Sequence, residues 1–245
     1  MGQEQNVVRI RRASGNCEDC QSQSLCLAAW LDSDEARDLD EAVLKRKTYQ
    51  GGEAIAYQGD EAGTLISVRT GAVKHVNTDA GGRQQITGFS MPGDIIGFSS
   101  LPGGQRRDDL LAIESTSVCV LPYKTCVTQG AGSENMVNAL VMGAETESAN
   151  VRTRCSLLAE PDADTRLLRF FHWLGQKQAA RGLSARHIRL PMARQDIAAF
   201  LCLAVETVSR VFRRLDERGA IRADQREIEL LDAAFERIDD STLCA

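Results

Sequence analysis

Between Thr48 and Tyr123, turn residues recur at intervals of roughly ten, a spacing that leaves room for short strands and little else. Gly51-Gly52, Gly59-Asp60, Gly71, Gly81-Gly82, Pro92-Gly93-Asp94 and Pro102-Gly103-Gly104 each supply turn chemistry. They punctuate short segments such as 65–68, 73–76 and 118–121. Antiparallel strands joined this way close into a sandwich or jelly roll.

The pattern then changes. Residues 133–159 contain no proline and a single glycine, Gly143. Val137, Val141, Ala144, Ser148, Val151, Cys155 and Leu158 follow one another at alternating four- and three-residue steps, which predicts a long helix with a coiled-coil seam and hence a homodimer. Ala144 and Ser148 bury little area, so the pairing is expected to be marginal, as a switch requires. Glu160-Pro161-Asp162 ends the helix. A first helix is expected over 32–47, opened by Asp32 and Ser33. An amphipathic helix is expected over 163–181, with Leu167, Phe170, Phe171 and Leu174 on one face, and a short strand over 188–190. The fold class is α+β. The boundaries read as a tail and cysteine loop (1–31), an antiparallel β jelly roll (32–132), a dimerisation helix (133–160) and a C-terminal module (161–245). The first sixteen residues, with Arg9, Arg11 and Arg12, read as a mobile tail.

Eight cysteines stand in a 245-residue chain that carries no long apolar run and no secretory signal pattern. A cytoplasmic location with reduced thiols is therefore expected, where clustered cysteines point to metal or redox chemistry. Cys17, Cys20 and Cys26 are spaced C-x2-C-x5-C, and Cys119 lies far downstream. Four thiolates satisfy an iron–sulfur core. Zinc, or a thiol switch on the same residues, is the competing reading. Cys126, Cys155 and Cys202 sit among apolar residues and read as buried fillers, whereas Cys244 lies near the exposed terminus. His75, His172 and His187 are the only histidines and form no cluster for a catalytic metal, so no enzyme is expected.

The net charge of −5 is unevenly distributed, because residues 181–222 hold nine arginines against four acids. Polyanions are the natural partner of such a module. Residues 192–218 have helix-turn-helix proportions. A first helix over 195–203 carries Ile197, Phe200 and Leu201, and a second over 205–218 turns Val205, Val208, Phe212 and Leu215 inward. Gly219 is placed to stop it in the left-handed conformation. Residues 221–230 suit a two-stranded wing around Ala223-Asp224-Gln225. The opposite face of the second helix carries Glu206, Ser209, Arg210 and Arg213. Arg210 suits guanine O6 and N7, Glu206 suits cytosine N4, and neighbouring arginines suit phosphates of double-stranded DNA.

With the string Val205-Glu206-Thr207-Val208-Ser209-Arg210, the cysteine set, and Gln85-Ile86-Thr87-Gly88-Phe89, the chain resembles the CRP/FNR family of bacterial transcription regulators. The likeness is to its oxygen-sensing FNR branch and runs from about Cys17 to Leu230. The resemblance implies a jelly-roll sensor, a dimerisation helix and a winged helix-turn-helix. It further implies a [4Fe–4S] cluster, convertible to [2Fe–2S], on Cys17, Cys20, Cys26 and Cys119 that permits dimerisation without oxygen. Glu206, Ser209 and Arg210 would then read TTGAT…ATCAA half-sites one turn apart. Residues 77–83 and the strand end at Arg69-Thr70 correspond to surfaces that relatives turn to RNA polymerase, and both read as exposed turns.

The cyclic-nucleotide branch of the same superfamily cradles a phosphate with Gly-Glu and Arg-Ser pairs. Here Gly93-Asp94-Ile95-Ile96-Gly97 and Gln105-Arg106-Arg107-Asp108-Asp109 stand in that region, and the two aspartates would repel a phosphate. No cyclic nucleotide and no membrane partner is expected. Oxygen-sensing relatives commonly carry an aspartate about where Val151 stands. Valine there removes a repulsion across the seam, so some dimer is expected even in air.

Overall fold

The computed structural model of the chain describes residues 16–17, 20–129 and 133–235. The expected tail before Asn16 and Cys244 lie outside the described residues.

Two four-stranded antiparallel sheets face each other in the N-terminal half. The first has the order β1 (Lys45–Tyr49), β8 (Thr116–Pro122), β3 (Thr64–Thr70), β6 (Ile95–Ile96). The second has the order β2 (Ala54–Ala56), β7 (Asp109–Ala112), β4 (Val73–Thr78), β5 (Gln84–Ser90). Tyr49, Ile66, Val68, Val73, Leu110 and Val118 fill the space between them, as the jelly-roll reading requires. Gly71 makes the β3–β4 turn at φ +80°, where a Cβ would stand 2.5 Å from the Ser115 carbonyl oxygen. Only glycine fits that corner.

Helix α1 (Ser33–Ala42) opens on a capping box: the Asp32 carboxylate accepts from the Asp34 and Glu35 amides, and Glu35 accepts from the Asp32 amide. It does not continue to residue 47. The backbone turns extended at Val43, and Lys45–Tyr49 pairs with the outer edge of β8 instead. An open sheet edge outcompetes the last turn of a weakly apolar helix. A further helix, α2 (Tyr123–Gln129), was not anticipated.

Helix α3 (Glu134–Ala159) starts where Ser133 accepts from the Met136 amide. It lays Met136, Ala139, Gly143 and Leu157 against the body. The segment before α1 forms two 3₁₀ turns, Gln23–Leu25 and Leu27–Trp30. Leu27 and Ala28 share one apolar cluster with Leu39, Leu65, Leu121, Met136 and Ala139, so the cysteine segment packs on both the sheet and α3.

The C-terminal half comprises α4 (Ala163–Ala179), β9 (His187–Arg189), α5 (Arg194–Phe200), α6 (Val205–Glu217), β10 (Ile221–Asp224), β11 (Glu227–Leu230) and α7 (Asp232–Phe235). The wing is a three-stranded sheet, order β10-β11-β9, with Gln225 at φ 48° in its tip. Leu167, Phe170, Phe171 and Leu174 are all buried. The core does not stop at the hinge after α3: Phe89 of β5 lies 5.0 Å from Phe200 and 6.4 Å from Phe170, ring centre to ring centre. Three ion pairs flank this contact, Lys74–Asp196 at 2.7 Å, Lys177–Asp94 at 2.7 Å and Arg189–Glu114 at 2.7 Å. Among the described residues no helix is long and apolar enough to cross a membrane.

Candidate cysteine centre and nucleic-acid interface

Cys17, Cys20, Cys26 and Cys119 line one small cavity. Consecutive tight turns aim the first three inward: the Cys20 amide donates to the Cys17 carbonyl at 3.1 Å, and the Cys26 amide to the Ser22 carbonyl at 3.1 Å. The Ser22 hydroxyl donates to the Arg69 carbonyl at 2.9 Å and fastens the segment to β3. The Cys17 amide donates to Asp40 at 2.7 Å, tying the other end to α1. Cys119 stands on β8 between Arg46 of β1 and Ser67 of β3, a position set by the sheet register.

The electrostatics follow from this enclosure. Burial, then the hydrogen bond and charge of Asp40, push the Cys17 thiol up to about 12. Burial raises Cys26 to about 11, with the neighbouring Cys20 and Cys119 adding to it. Burial also raises Cys119, opposed by the positive charges of Arg69 and Arg46. Left to themselves these thiols stay protonated. A thiophilic centre is what holds such a set as thiolates, and binding one releases protons. Leu27, Leu39 and Leu121 supply an apolar wall, and Arg46 and Arg69 supply positive charge facing the sulfurs. The donor chemistry therefore fits an iron–sulfur core. Among the described residues, no three His, Cys, Asp or Glu side chains converge closely enough to share a single ion.

Arg69 is thus half-buried at the cysteine cavity rather than part of an exposed turn; the adjoining Thr70 is exposed. Cys126 is fully buried as expected, but Cys155 and Cys202 are exposed. Cys155 sits on the outward stripe of α3. Cys202 occupies the tight turn between α5 and α6, at φ 53°.

In the helix-turn-helix, Val208, Val211, Phe212 and Leu215 are the inward residues of α6. Val205, the first residue of α6, is 41% exposed, contrary to the inward position expected for it. Glu206, Ser209, Arg210 and Arg213 are exposed and line one open concavity with Val205. Among the described residues no ion pair joins Glu206 to Arg210. Arg214 and Arg218 are committed elsewhere: both bind the buried Asp164 carboxylate, with Arg214 Nε 2.8 Å and Arg218 Nη1 3.2 Å from it, and clamp α6 onto α4. Gly219 ends the helix at φ +65°, and the Ala220 amide donates to the Leu215 carbonyl at 3.0 Å.

On α3 the predicted seam faces away from the body. Val137, Val141 and Val151 are 53, 59 and 60% exposed, Ser148 and Cys155 are exposed, and Ala144 and Leu158 are half-buried.

A jelly-roll domain joined through a long helix to a winged helix-turn-helix with an open basic face defines a DNA-binding transcription regulator, not an enzyme. Comparison with known proteins agrees. Residues 46–128 match the cyclic nucleotide-binding domain family and residues 165–234 the Crp-like helix-turn-helix domain family. The chain is 34% identical over 226 residues to the transcriptional activator protein FnrA of Stutzerimonas stutzeri, covering 92% of each. It is 31% identical over 235 residues to the fumarate and nitrate reduction regulatory protein of Escherichia coli K12, covering 94% of each. The solved structure of FixK2 from Bradyrhizobium japonicum superimposes with a TM-score of 0.70 at 26% identity, covering 80% of this chain and 97% of that one. The chain belongs to the CRP/FNR family of transcription regulators.

Proposed function

We propose that this regulator is oxygen-responsive, holding a [4Fe–4S] cluster, convertible to [2Fe–2S], on Cys17, Cys20, Cys26 and Cys119, and binding DNA as a dimer while the cluster is intact. One observation carries the reading: three cysteines of a short N-terminal segment and one from a central strand meet at a single cavity with two arginines on its wall. When bound, the cluster supplies an oxygen-labile core that ties the segment to β8. The protein's own residues do the rest. Leu27 and Ala28 pack on Met136 and Ala139, so a shift of the cysteine segment is felt directly by α3. Helix α3 then presents Val137, Val141, Ala144, Ser148, Val151, Cys155 and Leu158 to a second copy.

Pairing two copies places two α6 helices one turn apart on TTGAT…ATCAA-like half-sites. Glu206, Ser209 and Arg210 read base edges, and Arg213 meets phosphate. The β4–β5 hairpin tip, where Asp79 accepts from the Gly81 and Arg83 amides, is the surface we assign to RNA polymerase. No cyclic nucleotide is assigned. Arg106 is turned into the Thr64 carbonyl and hydroxyl at 3.0 and 2.8 Å, and Asp94 is engaged by Lys177.

The same cysteines with zinc, or acting as a thiol switch, form the competing reading. Purification under nitrogen, with a visible spectrum, iron and sulfide analysis, and DNA binding before and after air, tests the proposal. Coloured, iron-loaded protein that loses its colour and most of its operator binding together is the expected result. Colourless, zinc-loaded protein that binds the operator equally in air overturns it.

A further inference from the structure

We infer that Glu147 is the positioning residue that sets the rotation of α3 about its axis, and so the direction in which the dimer seam faces. Its carboxylate grips three consecutive backbone amides of the sensor half. Oε2 accepts from Gly97 at 3.2 Å and Phe98 at 2.9 Å, and Oε1 accepts from the Ser99 amide at 3.3 Å and from the Ser99 hydroxyl. Four donors on one carboxylate nearly saturate its acceptor sites, and bonds to an ionised group are the strong ones. Gly97 takes φ +124°, a conformation that L side chains rarely adopt, in opening this amide-rich turn toward the helix.

A second contact lies one helical turn away on the same face. Gly143 approaches Phe98 so closely that a Cβ would stand 2.8 Å from two ring atoms. Residues 143 and 147 are therefore both locked to the segment 97–99. A slip of one residue about the axis is about 100°, enough to swing Val141, Ser148 and Val151 out of a common seam.

The clamped segment also communicates with the cysteine centre. Cys119, Ser67 and Ile95 lie directly opposite one another on β8, β3 and β6, and Gly97 follows Ile95 by two residues. The clamp sits at the end of that rung. The inference rests on the dimer part of the proposed function, but not on the identity of the metal.

The test uses the full chain purified under nitrogen, as wild type, Glu147→Ala, Glu147→Gln, and Glu134→Ala as a charge-matched control on the same helix. Hydrogen exchange of the amides of 97–99 and sedimentation are measured with and without acetate, a small carboxylate. Glu147→Ala should lose protection at 97–99 and dimerise about tenfold more weakly, the scale of one hydrogen bond to a charged group. Glu147→Gln should retain part of both, Glu134→Ala should match wild type, and acetate should restore protection and pairing to Glu147→Ala alone. Unchanged protection in Glu147→Ala, or weakened pairing that acetate does not mend, overturns the clamp. Wild type that stays monomeric with its metal centre intact fails the dimer reading instead, and the exchange data still decide whether Glu147 holds the segment.

Discussion

Lys177 of α4 and Asp94, between β5 and β6, form a nearly dry ion pair across the junction of the two halves. The ammonium nitrogen lies 2.7 and 2.9 Å from the two carboxylate oxygens, and the side chains are 15 and 11% exposed. Asp94 also accepts from the Met91 amide at 2.8 Å, and Lys177 stands 5.4 Å from the Trp173 ring centre. Removing one partner leaves a buried charge unmatched, which costs about 3–5 kcal/mol, while removing both costs far less. Lys177→Met should therefore lower the urea midpoint sharply, and Lys177→Met with Asp94→Asn should recover most of it. Equal midpoints for the single and double variants would show that the pair is solvated.

Little of that junction was legible beforehand. Lys74 and Asp196 are 122 positions apart and carry no periodic signature; nothing in sequence says they meet. Glu147 reads as one more solvated charge on a polar helix, with no periodic signature to tie it to residues 97–99. By contrast α6 was legible because its apolar period has one solution, and Val205 departs from it as the first residue of the helix. The cysteines were legible by spacing, yet Arg46 and Arg69 were not, because their place at the cavity depends on strand register.

The recognition face makes separable predictions. Arg210→Ala should cost about 1–3 kcal/mol on the cognate half-site and flatten the preference among base substitutions at one position. Arg213→Ala should weaken all sequences alike and reduce the salt slope by about one. Titrations of operator variants at several salt concentrations distinguish the two. A uniform loss from Arg210→Ala would remove it from base reading.

His75 on β4 predicts a pH dependence. Burial lowers its pKa, opposed by the charges of Asp108, Glu147 and Asp94, and its Nε2 lies 2.8 Å from the Ser90 hydroxyl. The unfolded chain therefore takes up this proton first, at about pH 6.5. Stability from His75 is complete above that pH and falls as acidity increases toward the lower folded value. Urea midpoints measured from pH 7.5 down to about 5.5 should decline, and His75→Gln should flatten part of the slope. A wild-type profile as flat as the variant's would contradict the assignment.

Val151 and Cys155 lie four residues apart on the outward stripe of α3, both exposed. In a parallel pair each would face its own counterpart in the second copy, within the Cα separation a disulfide tolerates. Diamide, a thiol oxidant that takes up the two electrons and two protons released, should then yield a covalent dimer that Cys155→Ser abolishes. Valine at 151 adds buried apolar area where a carboxylate would repel its twin, so the cluster-free protein in air should retain some dimer and some operator binding. Val151→Asp removes roughly 1.5 kcal/mol or more of burial per chain and adds like-charge repulsion, weakening pairing by well over tenfold. Sedimentation of both proteins at micromolar concentration in air reads the difference directly. Wild type found only as monomer in air, with no Cys155 cross-link on adding the thiol oxidant diamide under nitrogen either, would move the dimer contact off this stripe.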